Sequence, residues 1–381
     1  MIYLDNAATT FPKPKAVITA VQNAMVCYGA NPGRSGHDLS LKTAQIVYDT
    51  RNALNEFFNG YGAECVSFTQ NCTQALNTAI KGFLKKGDHV VISSLEHNSV
   101  VRPLETLKNQ GLIEYTAFDV SSSKEITLKS FSDAFTPSTR LCVVTAVSNV
   151  FGDVLPLKEL SEIAHSRGAM FLVDGAQGAG VIPLDMKKQG IDCLCIPGHK
   201  GLYGPMGIGA LLHKNIDFTP IIQGGTGSES FNIMQPESFP ERLESGTLNV
   251  PGICGLRQGL KVLETKGIRN IHRIEEDICS ELIYGLDKLE GVVVHRDKGN
   301  THYAPLVSFN VKNVHSEAVA GMLNKGGVAV RGGYHCAPLA HISRGTKHNG
   351  TVRVSPSFFT CKKDINNLLN LVRKIAFKEF I

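Results

Sequence analysis

The chain predicts an α/β protein: a mostly parallel sheet covered on both faces by helices, with a smaller α+β domain towards the carboxy terminus. Three observations carry that expectation. Short apolar runs alternate with stretches of helical spacing between residues 66 and 196, as in a sheet buried on both sides. Chemically active residues, His97, Asp174 and Lys200, stand at or just after the ends of such runs. Beyond Asn249-Val250-Pro251-Gly252 the texture changes to long helical stretches with short strands between them.

In order along the chain, residues 1–14 read as extended and turn-like, because Pro12 and Pro14 break any early helix. Residues 16–28 have helical spacing, with Val17, Val21, Ala24 and Met25 on one face. The turn residues of 31–37, which include His37, predict a loop, and a helix follows over 40–58. A strand at 66–69 turns through 70–73 into a helix around 75–83. Strands are expected at 89–93, 141–146, 170–173 and 193–196, with a helix at 157–167. Helical stretches at 253–266 and 271–289 then lead to strands at 306–311 and 328–330, a helix at 316–324 and a final helix from 363. The large domain is drawn as 15–258, and the small one as 1–14 with 259–381.

With 381 residues, 43% hydrophobic and 19% charged, the composition is that of a folded globular protein rather than a disordered one. The formal charge of +5 is spread along the chain, without the basic stripe that nucleic-acid binding requires. No apolar run reaches the ~18 residues of a membrane span, and the start MIYLDNAATT lacks a basic secretory n-region. A cytoplasmic protein is expected. The ten cysteines are scattered; only Cys193 and Cys195 are close, and CxC within an apolar run is not zinc-ligand spacing. No metal site is expected, and most of the thiols read as small core residues.

Asp174 closes the run FLV and Lys200 follows CLCIPGH. A carboxylate and an amine inside a sheet protein persist when they pair with each other or with a ligand. Pyridoxal phosphate suits both, with an aldehyde for the lysine and a pyridine nitrogen for the acid. Thr73 stands at a helix start, where backbone N–H groups and the helix dipole receive phosphate. Singly, Thr73 reads as an N-cap, Asp174 as a turn residue, Lys200 as a surface lysine and His97 as a loop residue. Jointly, all fall at strand carboxy-terminal ends, the edge where open α/β sheets bind ligands.

The residues that carry this constellation resemble the class V aminotransferase fold of fold-type I pyridoxal enzymes, and more narrowly the group II cysteine desulfurases. The similarity runs through YLDNAATTFPKP (3–14), TQNCTQALN (69–77), SSLEHNSV (93–100), SNVFG (148–152), VDGAQ (173–177), GHKGLYGPMGIG (198–209), LESGTLN (243–249) and RGGYHCA (331–337). The resemblance implies that Lys200 forms the Schiff base and moves the proton at Cα. It implies that Asp174 keeps the pyridine nitrogen protonated, Gln177 bonds the phenolic oxygen, and His97 stacks on the ring. Thr73 and His199 would hold the phosphate, with Cys72 beside Thr73 counted in the cofactor set. Thr247 would reach the phosphate of a neighbouring subunit, which implies a homodimer. Asn149, Arg331 and Arg353 would bind the substrate carboxylate, where a planar guanidinium forms a bidentate pair. The chain departs from the family at Pro197, where a serine phosphate ligand is common.

Cys336 narrows the reaction. Removal of sulfur from L-cysteine needs a thiolate to attack the substrate's Sγ, and Cys336 follows Arg331-Gly332-Gly333-Tyr334-His335. The two glycines predict a flexible or tightly turned loop, and Arg331 and His335 are expected to lower the thiol's pKa. The products would be L-alanine and a persulfide on Cys336 that awaits a sulfur-acceptor protein. Seventeen positions separate Cys336 from Arg353, too few for a long mobile loop. His341 and His348 in that segment read as solvated loop histidines. The competing reactions on the same site are selenocysteine lyase and a class V aminotransferase, and the competing class is a non-catalytic sulfur carrier or assembly partner. Iron–sulfur cluster assembly is one of several destinations for the sulfur.

Overall fold

The computed structural model describes residues 1–33, 35–296 and 302–377. Its elements in chain order begin with β1 (Ile2–Tyr3), α1 (Lys15–Cys27), α2 (Asp38–Phe57), β2 (Val66–Thr69), α3 (Cys72–Phe83) and β3 (Asp88–Ser93). There follow α4 (Asn98–Asn109), β4 (Ile113–Phe118), α5 (Lys124–Asp133), β5 (Thr139–Thr145), α6 (Leu157–Ser166), β6 (Met170–Asp174), β7 (Cys193–Pro197) and β8 (Gly209–His213). The remainder comprises α7 (Val250–Lys266), α8 (Ile268–Leu286), β9 (Val292–Val294), β10 (Val307–Val311), α9 (Ser316–Lys325) and β11 (Val328–Ala329). It closes with α10 (Pro338–Ser343), β12 (Val352–Val354) and α11 (Lys362–Ala376).

Seven strands form one sheet in the order β2-β8-β7-β6-β5-β3-β4. All neighbouring pairs are parallel except those made by β8, which runs against both β7 and β2. The expected strands are present, and the mixed sheet owes its one reversed strand to β8. Alternation of side chains splits the apolar runs between two cores. Val91, Cys142, Val144, Phe171, Val173, Leu194 and Ile196 point to one face, where residues of α2, α6 and α7 cover them. Val90, Ile92, Leu141, Val143, Leu172, Cys193 and Cys195 point to the other, under α3 and α4. Burial on both faces explains why these strands read as unbroken apolar runs.

Of the elements absent from the sequence reading, β8 is buried along its whole length, while others have weak apolar signals. In β4, an edge strand, the middle four residues are exposed or half-buried, and α4 carries an internal Pro103. The short α10 and β12 lie in the stretch read as a loop. A third core joins Leu4 to α8, α9, α11 and the antiparallel sheet β12-β10-β9. The amino-terminal arm enters it through β1, which pairs with β11. Seven of the ten cysteines are buried and all ten are free thiols; Cys27, Cys336 and Cys361 are exposed. No helix of the described residues is long and apolar enough to cross a membrane.

Candidate active site

Parallel strands bring their carboxy-terminal ends to one edge, and that edge collects most of the expected residues. β2 hands the chain to Cys72 and Thr73, β3 to His97, β5 to Asn149 and β7 to His199 and Lys200, while Asp174 is the last residue of β6. Arg331, Cys336 and Arg353 come from the carboxy-terminal elements around β11 and β12.

Asp174 is 2% exposed and pairs in register with Thr145 on one side and Cys195 on the other. Its Oδ1 accepts the Ala176 N–H at 2.8 Å and the Cys72 thiol at 3.5 Å. Burial raises the carboxyl's pKa, while the Ala176 N–H and Lys200 pull it down. Lys200 is shifted the opposite way: burial lowers the amine, Asp174 raises it, and Arg353 lowers it again. Acid and amine thus sense one another across the cleft. Cys72, expected beside the phosphate ligands, turns its thiol to Asp174.

The amino-terminal arm supports this floor. Gln177 donates from Nε2 to the Ala7 carbonyl at 2.9 Å. The His199 carbonyl accepts from the Thr10 N–H at 3.1 Å and from Lys13 Nζ at 2.7 Å. Burial lowers the Lys13 pKa to about 8. The His199 ring has a buried Nδ1 with no partner among the described residues, and burial, then Lys200 and Lys13, lower its pKa to about 4. Lys13, Thr10 and Ala7 escaped the sequence reading; the only signal for them was their place in the matched arm.

At the start of α3 the N-cap is Asn71, whose side chain accepts the Gln74 N–H at 2.9 Å. Thr73 is therefore not the cap but the second helical residue, and it is exposed. The amides of Cys72 and Thr73 have no acceptor among the described residues, leaving two donors and the positive helix end for an anion. His97 caps α4 in the same manner, its Nδ1 accepting the Ser99 N–H at 3.0 Å. Burial lowers the His97 pKa to about 4, and Lys200, Arg331, Arg102 and Arg353 reinforce the shift.

Cys336 sits in a tight, clamped turn. His335 and Cys336 have φ of 50° and 57°, consecutive left-handed residues that cost about 1–3 kcal/mol each. Asn149 Nδ2 donates to the His335 carbonyl at 2.7 Å, and the Asn98 N–H to the Cys336 carbonyl at 2.7 Å. One of the two Asn149 amide hydrogens is thereby committed to the loop. The exposed Cys336 Sγ lies 3.7 Å from Arg331 Nη2. His335 does not join it as a second cation. It is 2% exposed, and its Nε2 faces the carbonyl and hydroxyl of Thr351 at 3.0 and 3.2 Å. Burial and then Arg353 hold the ring neutral by driving its pKa far down.

Arg353 is 1% exposed and already engaged: Nη2 donates to Asp5 Oδ1 and Nη1 to the Asn149 carbonyl, both at 2.8 Å. Its backbone pairs with that of Arg331 in an antiparallel bridge. His341, expected in solvent, is buried against Phe151 and His335 and bonded to Thr346 Oγ1 at 2.7 Å. His348 is exposed, as expected, and His37 is an exposed cap on α2. Thr247 is exposed in the segment before α7. That segment is tied to β2 by Glu244, which accepts from both Arg51 terminal nitrogens and from the Phe68 N–H.

The sequence reading did not single out the buried carboxylate of Glu96. Glu96, 0% exposed, accepts the Thr145 N–H at 2.7 Å and the Ser93 hydroxyl, and burial raises its pKa to about 8. The residues present fit pyridoxal phosphate. A buried acid suits a cationic ring nitrogen, and an amine beside it suits an aldehyde. Two free helix amides, a hydroxyl and an unpartnered imidazole nitrogen suit a phosphate ester.

The family model described as Aminotransferase class-V matches residues 2–368. A relative from Pyrococcus abyssi named "Probable cysteine desulfurase" is 33% identical, over 99% of this chain and 94% of its own. One of the same name from Methanothermobacter thermautotrophicus is 32% identical, over 98% and 94%. The apo structure of a cysteine desulfurase from Thermococcus onnurineus superposes with a TM-score of 0.92 at 31% identity, covering 99% of this chain and 95% of that one.

Proposed function

The chain belongs to the class V aminotransferase family, and from that premise we propose that it is a pyridoxal phosphate-dependent cysteine desulfurase, converting L-cysteine to L-alanine with the sulfur carried on Cys336. The observation that carries the reading is the placement of Cys336. Its exposed thiol is clamped beside Arg331, in a turn bonded to the start of α4 at Asn98, next to His97. His97 in turn senses the charges of Lys200, Arg331 and Arg353.

Pyridoxal phosphate, when bound, would supply an electron sink for the carbon–sulfur bonding electrons that stay on the substrate when its sulfur is taken. Lys200 would hold it covalently, Asp174 would keep its ring nitrogen protonated, and Gln177 would bond its phenolic oxygen. Thr73, His199 and the free amides at the start of α3 would hold its phosphate, and His97 would lie against the ring. Arg331 and Arg353, with Asn149, receive the substrate carboxylate. Lys200 moves the proton at Cα. The Cys336 thiolate attacks Sγ, the carbon–sulfur bond breaks with its electrons left on the substrate, and protonation yields alanine. Sulfur stays as a persulfide until a protein acceptor takes it; supply to iron–sulfur cluster assembly is one such use. The fully exposed Phe231 and Ile233, in the same surface segment as Thr247, support a homodimer in which Thr247 reaches the partner's phosphate. Ten scattered free thiols support a reducing, cytoplasmic setting.

Cys336→Ala is expected to abolish persulfide formation and alanine release from L-cysteine while the visible absorbance of the bound cofactor persists. Alanine release at the full wild-type rate would refute the role of Cys336. Undiminished turnover of L-selenocysteine by the same variant would instead favour a selenocysteine lyase, since selenium leaves without needing the thiolate.

A further inference from the structure

Between the phosphate end of the site and the ring-facing histidine lies a hydroxyl with no role assigned so far. Ser99 is the second helical residue of α4. Its Oγ lies 2.8 Å from Thr73 Oγ1 and 2.9 Å from His97 Nδ1. The Ser99 backbone N–H donates to that same Nδ1 at 3.0 Å. A ring nitrogen that accepts an N–H bond carries no proton, so the neutral His97 ring holds its proton on Nε2. Nε2 itself has no partner among the described residues.

We infer that Ser99 is a positioning residue that links the phosphate-binding hydroxyl of Thr73 to the His97 ring, bracing Thr73 through its own hydroxyl while its backbone N–H holds the imidazole. The inference rests on the cofactor reading above. Proton counting shows how the coupling works. Without an anion, Thr73 donates to Ser99 and Ser99 donates to His97 Nδ1, so each hydroxyl proton is used once. A phosphate oxygen at the α3 terminus competes for the Thr73 proton. Ser99 then turns its proton to Thr73 Oγ1, and the Ser99 backbone N–H alone keeps hold of Nδ1. The imidazole stays fixed in both states because its backbone bond never breaks, while the hydroxyl braces whichever neighbour lacks a donor.

The test is a double-mutant cycle on cofactor affinity, with the holoenzyme stripped and re-titrated against pyridoxal phosphate and against pyridoxal, which lacks the ester. Ser99→Ala is expected to weaken pyridoxal phosphate binding by about 3- to 10-fold, the range of one hydrogen bond, and to leave pyridoxal binding unchanged. Ser99→Gly should match it, and Ser99→Thr should keep wild-type affinity. In a Thr73→Val background, Ser99→Ala should add no further loss, because the two hydroxyls act as one unit. Additive losses, or an equal loss with pyridoxal, would overturn the inference. A wild-type protein that binds neither ligand would overturn the cofactor reading first, and this inference with it.

Discussion

Gly332 controls where Cys336 sits, and replacing it with alanine tests whether that placement governs the reaction. A Cβ at position 332 would lie 2.6 Å from the Ser316 carbonyl oxygen and 2.9 Å from the Glu317 Cα, both backbone atoms at the start of α9. Ordinary carbon contacts begin near 3.4 Å, so one side must yield by more than half an ångström. Ser316 is held: its hydroxyl donates to the Asn349 carbonyl and accepts the Gly333 N–H at 3.1 Å. The segment leading to Cys336 therefore moves. Overpacking of this kind costs about 1–3 kcal/mol, and a displacement approaching 1 Å at a reacting group costs up to about 100-fold in rate. Gly332→Ala should lower kcat for alanine release by roughly 10- to 100-fold, with cofactor absorbance unchanged and only a modest fall in melting temperature. The assay is alanine release alongside persulfide labelling of Cys336. Wild-type kcat together with wild-type labelling would refute the argument that this turn positions the thiol.

Two further outcomes follow from buried charges. Glu275 is 6% exposed with its pKa raised by burial to about 8, and its closest side-chain partner is Tyr203 Oη at 3.4 Å. A raised folded-state pKa makes its stabilising contribution complete below the ordinary carboxylate value of about 4.5 and lost as pH rises through about 8. Glu275→Gln should flatten urea stability against pH within that window by up to about 1.4 kcal/mol per pH unit; an unchanged slope would sink the assignment. Arg51→Met strands the buried Glu244 carboxylate and should cost about 3–5 kcal/mol, while the double change with Glu244→Met should recover much of it. Equal losses in both variants, measured by denaturant midpoint, would contradict a charge-based cost.

The amino-acid pattern by itself determined five of the sheet's seven strands, β2, β3, β5, β6 and β7, and the edge on which the chemistry collects. Apolar runs buried on both faces leave little freedom in strand assignment, and parallel strands place their carboxy-terminal residues at one edge whatever the loops do. Asp174, Lys200, His97 and Cys72–Thr73 were legible for that reason, since each stands at or shortly beyond a strand's end. What the tertiary structure alone decided is where loop and helix-start side chains point. His335 follows Arg331 closely in sequence yet turns into the core towards Thr351, because the left-handed turn at 335–336 reverses its direction. His341 is buried by packing against Phe151 rather than solvated. Arg353 is committed to Asp5, 348 positions away, and Ser99 meets Thr73 across two helix starts. These contacts join segments distant in sequence, and no local spacing encodes them: they exist only after the arm, the sheet edge and the carboxy-terminal elements have packed together.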